Sequence, residues 1–307
     1  VLTDSAISVS VSVTDPAGNQ VSFAGTAATK DTVAPPVPTA AVVTAGGNNV
    51  ASVINIASVN TVTVNVTWPA SVDLSATAQV TLTGTTGSAQ SATSTPIAGG
   101  IQPYAPIVAT PVSDGSVLVT VSVTDPAGNP ASFTGTAATK DTSAPSLPTM
   151  AIVAAGASNP AGYVNLASQG AVTVDVTWPL GADGTATVTL GSGTASVQSA
   201  AVAASAGATQ SFGAIAATAL SDGAISITVD VTDAAGNPTS FAGAVALKDV
   251  VAPLAPTAAG VLAGAGNAAD VINISSAGAV TVGVAWPAGA DGTATAKVTL
   301  SAGSSTA

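Results

Sequence analysis

The sequence predicts an all-β fold, a string of β-sandwich domains, and three observations carry that expectation. The first is alternation: "VTVNVTW" sets Val62, Val64, Val66 and Trp68 on one face and Thr63, Asn65 and Thr67 on the other. A two-residue period in Val and Thr marks a half-buried antiparallel strand. "VLVTVSVTD" and "ISITVDVTD" alternate in the same way. The second is duplication. Trp68, Trp178 and Trp286 are spaced by 110 and 108 residues, and Lys30, Lys140 and Lys248 by the same intervals. A period of that length is a whole small domain, too long for one solenoid unit. The third is punctuation. "VTDPAGN" runs from Val13 to Asn19 and from Val123 to Asn129, and "VTDAAGN" from Val231 to Asn237. Gly, Pro and Asp separate about seven alternating segments in each period, the strand complement of a sandwich. One Trp per domain is expected to fill the core between the sheets.

The domains follow in order from their proline-bearing junctions, "APPVPT", "APSLPT" and "APLAPT". Proline fixes φ and brings no amide proton to a ladder, so these are short, stiff connections. Residues 1–33 carry the last strands of one repeat, 34–143 and 144–251 are complete repeats, and 252–307 carry the first strands of another. Neither partial repeat can bury a core alone. The chain is therefore expected to be a window on a longer array, with strand exchange between the two partial repeats as the remaining possibility.

Composition excludes whole classes of function. The chain has 307 residues, 47% of them hydrophobic, and a net charge of −11; its 15 acidic residues are all Asp and its 4 basic residues all Lys. Without Glu, Arg, His or Cys there is no imidazole base, no thiol nucleophile, no guanidinium clamp and no zinc site of the usual kind. Four lysines make no basic surface for a phosphate backbone, so no nucleic-acid partner is expected. No apolar run is long enough to span a membrane, and no signal-peptide pattern stands at Val1. No repeat has a polar constellation that its sister lacks, so no enzyme is expected.

The "VTDPAGN" turn, the closing "KDTVAP", "KDTSAP" and "KDVVAP" segments and the proline junctions together resemble the bacterial Ig-like tandem repeats of giant calcium-dependent surface adhesins and biofilm-associated proteins. The resemblance covers the whole chain, since every period carries these motifs. It implies Ig-like β-sandwich domains strung into an extended, calcium-stiffened rod at the bacterial cell surface, outside the cell. The absence of Glu and Arg sets the chain apart from many members.

Twelve of the aspartates fall into four repeated positions. Asp73, Asp183 and Asp291 lie five residues after each Trp. Asp4, Asp114 and Asp222 precede a strand. Asp15, Asp125 and Asp233 open the hairpin turn, and Asp31, Asp141 and Asp249 close the domain. Asp-Pro-Ala-Gly suits a type I turn, and the other "DG" sites suit simple turns. At Asp31, Asp141 and Asp249 turn chemistry asks for no carboxylate. Strand direction brings the sets together: the final hairpin of one sandwich returns to the pole that faces the preceding linker. Asp4, Asp31, Asp73 and Asp125 are thus expected to converge at one junction, Asp114, Asp141, Asp183 and Asp233 at the next, and Asp222, Asp249 and Asp291 at a third. Like charges so gathered repel unless a cation neutralises them, and oxygen ligands alone select a hard ion. Calcium is the expected ion, since it takes 6 to 8 oxygens in flexible geometry. Asn55, Asn165 and Asn273 are read as strand-end or turn residues without a chemical role.

The leading expectation is therefore a structural stalk whose partners are neighbouring repeats and cell-surface or matrix components. A self-assembling surface layer or filament subunit is the alternative. A carbohydrate-binding array is a second one, weakened because the chain has only 3 Trp, 2 Tyr and 4 Phe, and Tyr104 and Tyr163 do not occupy equivalent places.

Overall fold

Strict alternation leaves the longer strands one apolar face, and the chain buries those faces by stacking two sheets in each of two central units. The computed structural model describes residues 2–44, 50–156, 159–264, 266–302 and 305–306, and among them every regular element is a strand. The chain opens with β1 (Ser5–Ile7), β2 (Ser10–Thr14), β3 (Gln20–Ala24) and β4 (Ala28–Lys30), in which β1 pairs with β4 and β2 with β3.

The first complete repeat holds β5 (Ala40–Val43), β6 (Val53–Ile54), β7 (Val62–Thr67), β8 (Thr77–Thr83) and β9 (Ser88–Gln90). It continues with β10 (Ile101–Ile107), β11 (Gly115–Thr124), β12 (Pro130–Thr134) and β13 (Ala138–Lys140). One sheet runs β10-β7-β5; the other runs β6-β13-β11-β8-β9, with β12 also on β11. Val62, Val64, Val66 and Trp68 face Val80, Leu82, Val119 and Val121 across a dry core, joined by Tyr104 and Ile107. The second complete repeat has the same plan in β14 (Met150–Val153), β15 (Tyr163–Asn165), β16 (Val172–Thr177), β17 (Thr185–Ser192) and β18 (Ala195–Gln198). Its remaining strands are β19 (Val202–Ala203), β20 (Thr209–Ile215), β21 (Gly223–Thr232), β22 (Pro238–Ala242) and β23 (Ala246–Asp249). Phe212 takes the core place of Tyr104, each opposite the middle Val of its neighbouring strand.

The structure differs from the sequence expectation in two respects. The described residues contain nine strands in the first complete repeat and ten in the second, more than the expected seven. The additions, such as β6, β9 and β19, are two or three residues long, too short to display a period of two. The strands are also not all antiparallel: β6 runs parallel to β13, and β15 to β23. After β5 the chain crosses to the second sheet and lays β6 beside the last strand, which carries the ends of both to the same pole.

Residues 252–307 hold β24 (Ala258–Val261), β25 (Val282–Ala285), β26 (Ser301–Ala302) and β27 (Ser305–Thr306). Trp68 and Trp178 are 2% exposed, whereas Trp286 is 48% exposed. Val11 and Val13 are likewise exposed where their counterparts Val121 and Val123 are buried. The difference is one of partners, since β2 pairs only with β3 while β11 is flanked on both edges.

Candidate metal centre at the repeat junctions

The hairpin turn is built by its own aspartate. Asp125 N–H donates to Asn129 O (3.2 Å) and Gly128 N–H to Asp125 O (3.1 Å), while Gly128 takes φ +92°. This is a type I turn followed by a left-handed residue, which glycine supplies without strain. The Asp125 carboxylate accepts the Asn129 N–H (2.8 Å) and side-chain amide (2.8 Å). Asp15 and Asp233 hold Asn19 and Asn237 in the same way. Hydrogen bonds to the charged form, the Asn129 side chain foremost, hold Asp125 below the usual carboxylate range, and Asn19 does the same for Asp15.

The register then delivers a second carboxylate. Thr77 pairs with Thr124, so the loop carrying Asp73 reaches the Asp125 turn. Asp73 accepts the Ser75 N–H (2.8 Å) and hydroxyl (2.6 Å). Those bonds lower its pKa, while burial and the nearby Asp125 charge pull it upward. In the next repeat Thr185 pairs with Thr232, and a Cβ on Gly184 would lie 3.1 Å from the Asp233 Cα, so Asp183 stands beside the Asp233 turn. Asp291 holds Thr293 N–H and hydroxyl as Asp73 holds Ser75, with its pKa lowered by Thr293.

Asp31, Asp141 and Asp249 serve turn chemistry after all. Each Oδ1 accepts the backbone N–H two residues on, at 3.0 Å from Val33, Ser143 and Val251 respectively. The following turn sits on these linkers. Asn129 Nδ2 donates to Asp31 O (3.3 Å), and Asn237 Nδ2 donates to Asp141 O (3.0 Å) and Ser143 O (3.2 Å).

The remaining set is held by lysine. Asp114 accepts the Lys140 ammonium (2.7 Å) and the Thr142 N–H (3.0 Å) and hydroxyl. Asp4 is bonded to Lys30 and Thr32 in the same manner, and these bonds lower its pKa to about 2. Burial raises the Asp114 pKa, but Lys140 and Thr142 outweigh it and leave it low. The third copy has Val250 in place of threonine. There Lys248 turns its Nζ to Leu220 O (2.6 Å) and stands 3.8 Å from Asp222.

The junction therefore brings together a hairpin turn, a linker and a post-Trp loop, with Asp125 and Asp73 close enough to feel each other's charge. Among the described residues no group of three or more acidic side chains stands ready to hold an ion. The physical reason is that one set is neutralised by an ammonium and the others are pinned by their own turns. A cation fits the donor chemistry of the Asp31, Asp73 and Asp125 set, which offers carboxylate and main-chain oxygens alone, and fits poorly beside the lysine-bound carboxylates. The asparagine at the end of the turn, and Asn55 facing it from the preceding repeat, were not legible as junction residues. The only signal was that each recurs with the period of the array.

The tryptophans are core residues in both complete repeats, as is Tyr104, so none of them forms a stacking platform. No helix of the described residues is long and apolar enough to cross a membrane.

No protein-family model matches the sequence, and no curated protein matches it. Solved structures do, among them two ice-binding adhesins and the repeats of a large adhesion protein. One is a calcium-stabilised adhesin with which an Antarctic bacterium reaches out and binds ice: 27% identity, TM-score 0.44, covering 89% of this chain and 62% of that one. A second is a 1.5-MDa bacterial ice-binding adhesin, solved for its retention at the host cell surface: 25% identity, TM-score 0.39, covering 81% and 76%. A third is a tetra-tandem repeat in the extending region of a large adhesion protein: 20% identity, TM-score 0.30, covering 81% and 57%. The chain thus spans less than two thirds of the first of these.

Proposed function

We propose that the chain is a spacer section of a bacterial cell-surface adhesin, a non-enzymatic series of sandwich repeats held end to end outside the cell, with junctions stiffened when calcium binds. The observation that carries the reading is the seating of each hairpin turn on the linker that precedes its own repeat, Asn129 on Asp31 and Asn237 on Asp141 and Ser143. A junction held by both a stiff linker and a docked turn has a fixed angle, and a series of fixed angles makes a rod. The candidate ligands are Asp31, Asp73 and Asp125 at one junction and Asp141, Asp183 and Asp233 at the next; Asp249 and Asp291 repeat the pattern. Asp4, Asp114 and Asp222 brace the end of the preceding repeat through lysine. The partners are neighbouring repeats, and cell-surface or matrix components engaged elsewhere on such an adhesin.

The test is solution scattering and thermal melting of the chain after chelation, then during calcium titration. Calcium is expected to raise the melting temperature, and Asp73→Asn to blunt that rise at one junction only. Extended-particle scattering with melting that ignores calcium would remove the ion from the proposal, and scattering from a compact particle would remove the rod.

A further inference from the structure

The parallel pairing of β6 with β13 has a chemical result at the pole where both strands end. Asn55 follows β6 directly and Asp141 follows β13, so the two arrive side by side against the turn of the next repeat. Asn55 Oδ1 accepts the Ser58 N–H (3.1 Å), which closes its own loop, and its Nδ2 donates across the junction to Ala235 O (2.9 Å). In the same sense, Ile56 N–H donates to Asn237 Oδ1 (2.8 Å). The Asn237 amide nitrogen meanwhile binds the linker carbonyls and the Asp233 carboxylate (2.9 Å). Asn55 and Asn237 are both 0% exposed.

We propose that Asn55 and its loop form an end-on docking surface whose occupant is the Asp-Xaa-Ala-Gly-Asn turn of the following repeat, and that this clasp keeps the junction closed with no cation bound. The preceding repeat gives both donors and the following turn both acceptors, at two separate points, so a tilt that spares one bond stretches the other. The bonds to Asp141 and Ser143 fix the same turn from a second side, which leaves no free axis of rotation. Neutral amides in a dry contact neither titrate nor feel screening by salt. The parts recur: Asn165 organises its loop as Asn55 does, with Ser168 N–H on its Oδ1 (3.0 Å), and Asn129 occupies the place of Asn237. The clasp does not rest on the calcium reading.

The chain has no cysteine, so Ser88→Cys with Ser196→Cys places one spin label on each complete repeat. Distance distributions are measured by electron double resonance in EDTA and in excess calcium. The parent is expected to give the same narrow distribution in both. Asn55→Asp keeps the acceptor for Ser58 and replaces the donor by an oxygen that faces Ala235 O; in EDTA it is expected to broaden the distribution at least about twofold, since two facing oxygens push the clasp open. Asn237→Ala should act alike, and separate melting transitions confirm that both repeats remain folded. A parent that broadens in EDTA as far as Asn55→Asp overturns the clasp, as does a variant as narrow as the parent. Calorimetry on the same sample separates the two readings: no calcium binding with a narrow parent removes the ion and keeps the clasp.

Discussion

Tyr104 and Phe212 fill the same position in two cores, and only one of them carries a hydroxyl. The Tyr104 oxygen is buried without a hydrogen-bond partner at bonding distance, beside the equally unpartnered Trp68 indole nitrogen. Burial raises its pKa, with Ser94 and Trp68 offsetting the effect in part, so the group stays a neutral phenol. A buried polar atom left unsatisfied costs stability that an apolar isostere does not. Tyr104→Phe is therefore expected to leave the first complete repeat as stable as before or better, by up to about 1 kcal/mol in denaturant unfolding. A loss of that size instead would show that the hydroxyl has a partner worth keeping.

Between β12 and β13 the chain leaves one sheet to touch the other, and a glycine makes that approach possible. Gly135 N–H bonds Val119 O (2.8 Å) while Thr136 N–H bonds Ala41 O (2.9 Å), one contact to each sheet. A Cβ at Gly135 would lie 2.4 Å from Ala41 O, and at Gly243 2.7 Å from Ala151 O. Gly135→Ala is expected to cost about 1 to 3 kcal/mol, the scale of core overpacking, and to lower only the melting of its own repeat; an unchanged transition would mean that the sheets part easily. The strands that alternate over six or more residues, such as β7, β8 and β11, were legible in the sequence because burial of one face dictates a period. The hairpin turns were legible because Asp, Pro and Gly each do a separate steric task there. The short strands and the parallel pair were not, because they depend on where a crossing chain lands. The clasp was hidden for the same reason: Asn55 is an ordinary loop residue until β13 sets Asp141 beside it.

For the molecule as a whole, the charge pattern sets an acid limit. Asp4, Asp15, Asp73, Asp114, Asp125 and Asp291 all have folded pKa values below the ordinary 3.8. A depressed carboxylate contributes stability above its unfolded pKa and loses it as pH falls through the folded value. In calcium-free buffer the melting temperature is expected to stay level down to about pH 5 and to drop steeply below about pH 4; a level curve through that window would contradict the carboxylate bonds. The parallel strands have another consequence, which concerns tension. In a stalk of the proposed kind, tension enters the first complete repeat through β5 and leaves through β13, and past β5 it loads β6 against β13. Because the two run the same way, they are drawn past each other in shear. Thr139 N–H on Ser52 O and Asp141 N–H on Ile54 O must then give way together, whereas a hairpin pulled from its open end unzips one bond at a time. A tether made of such repeats yields one unit after another at high force, and every unit that yields releases slack that spares the rest.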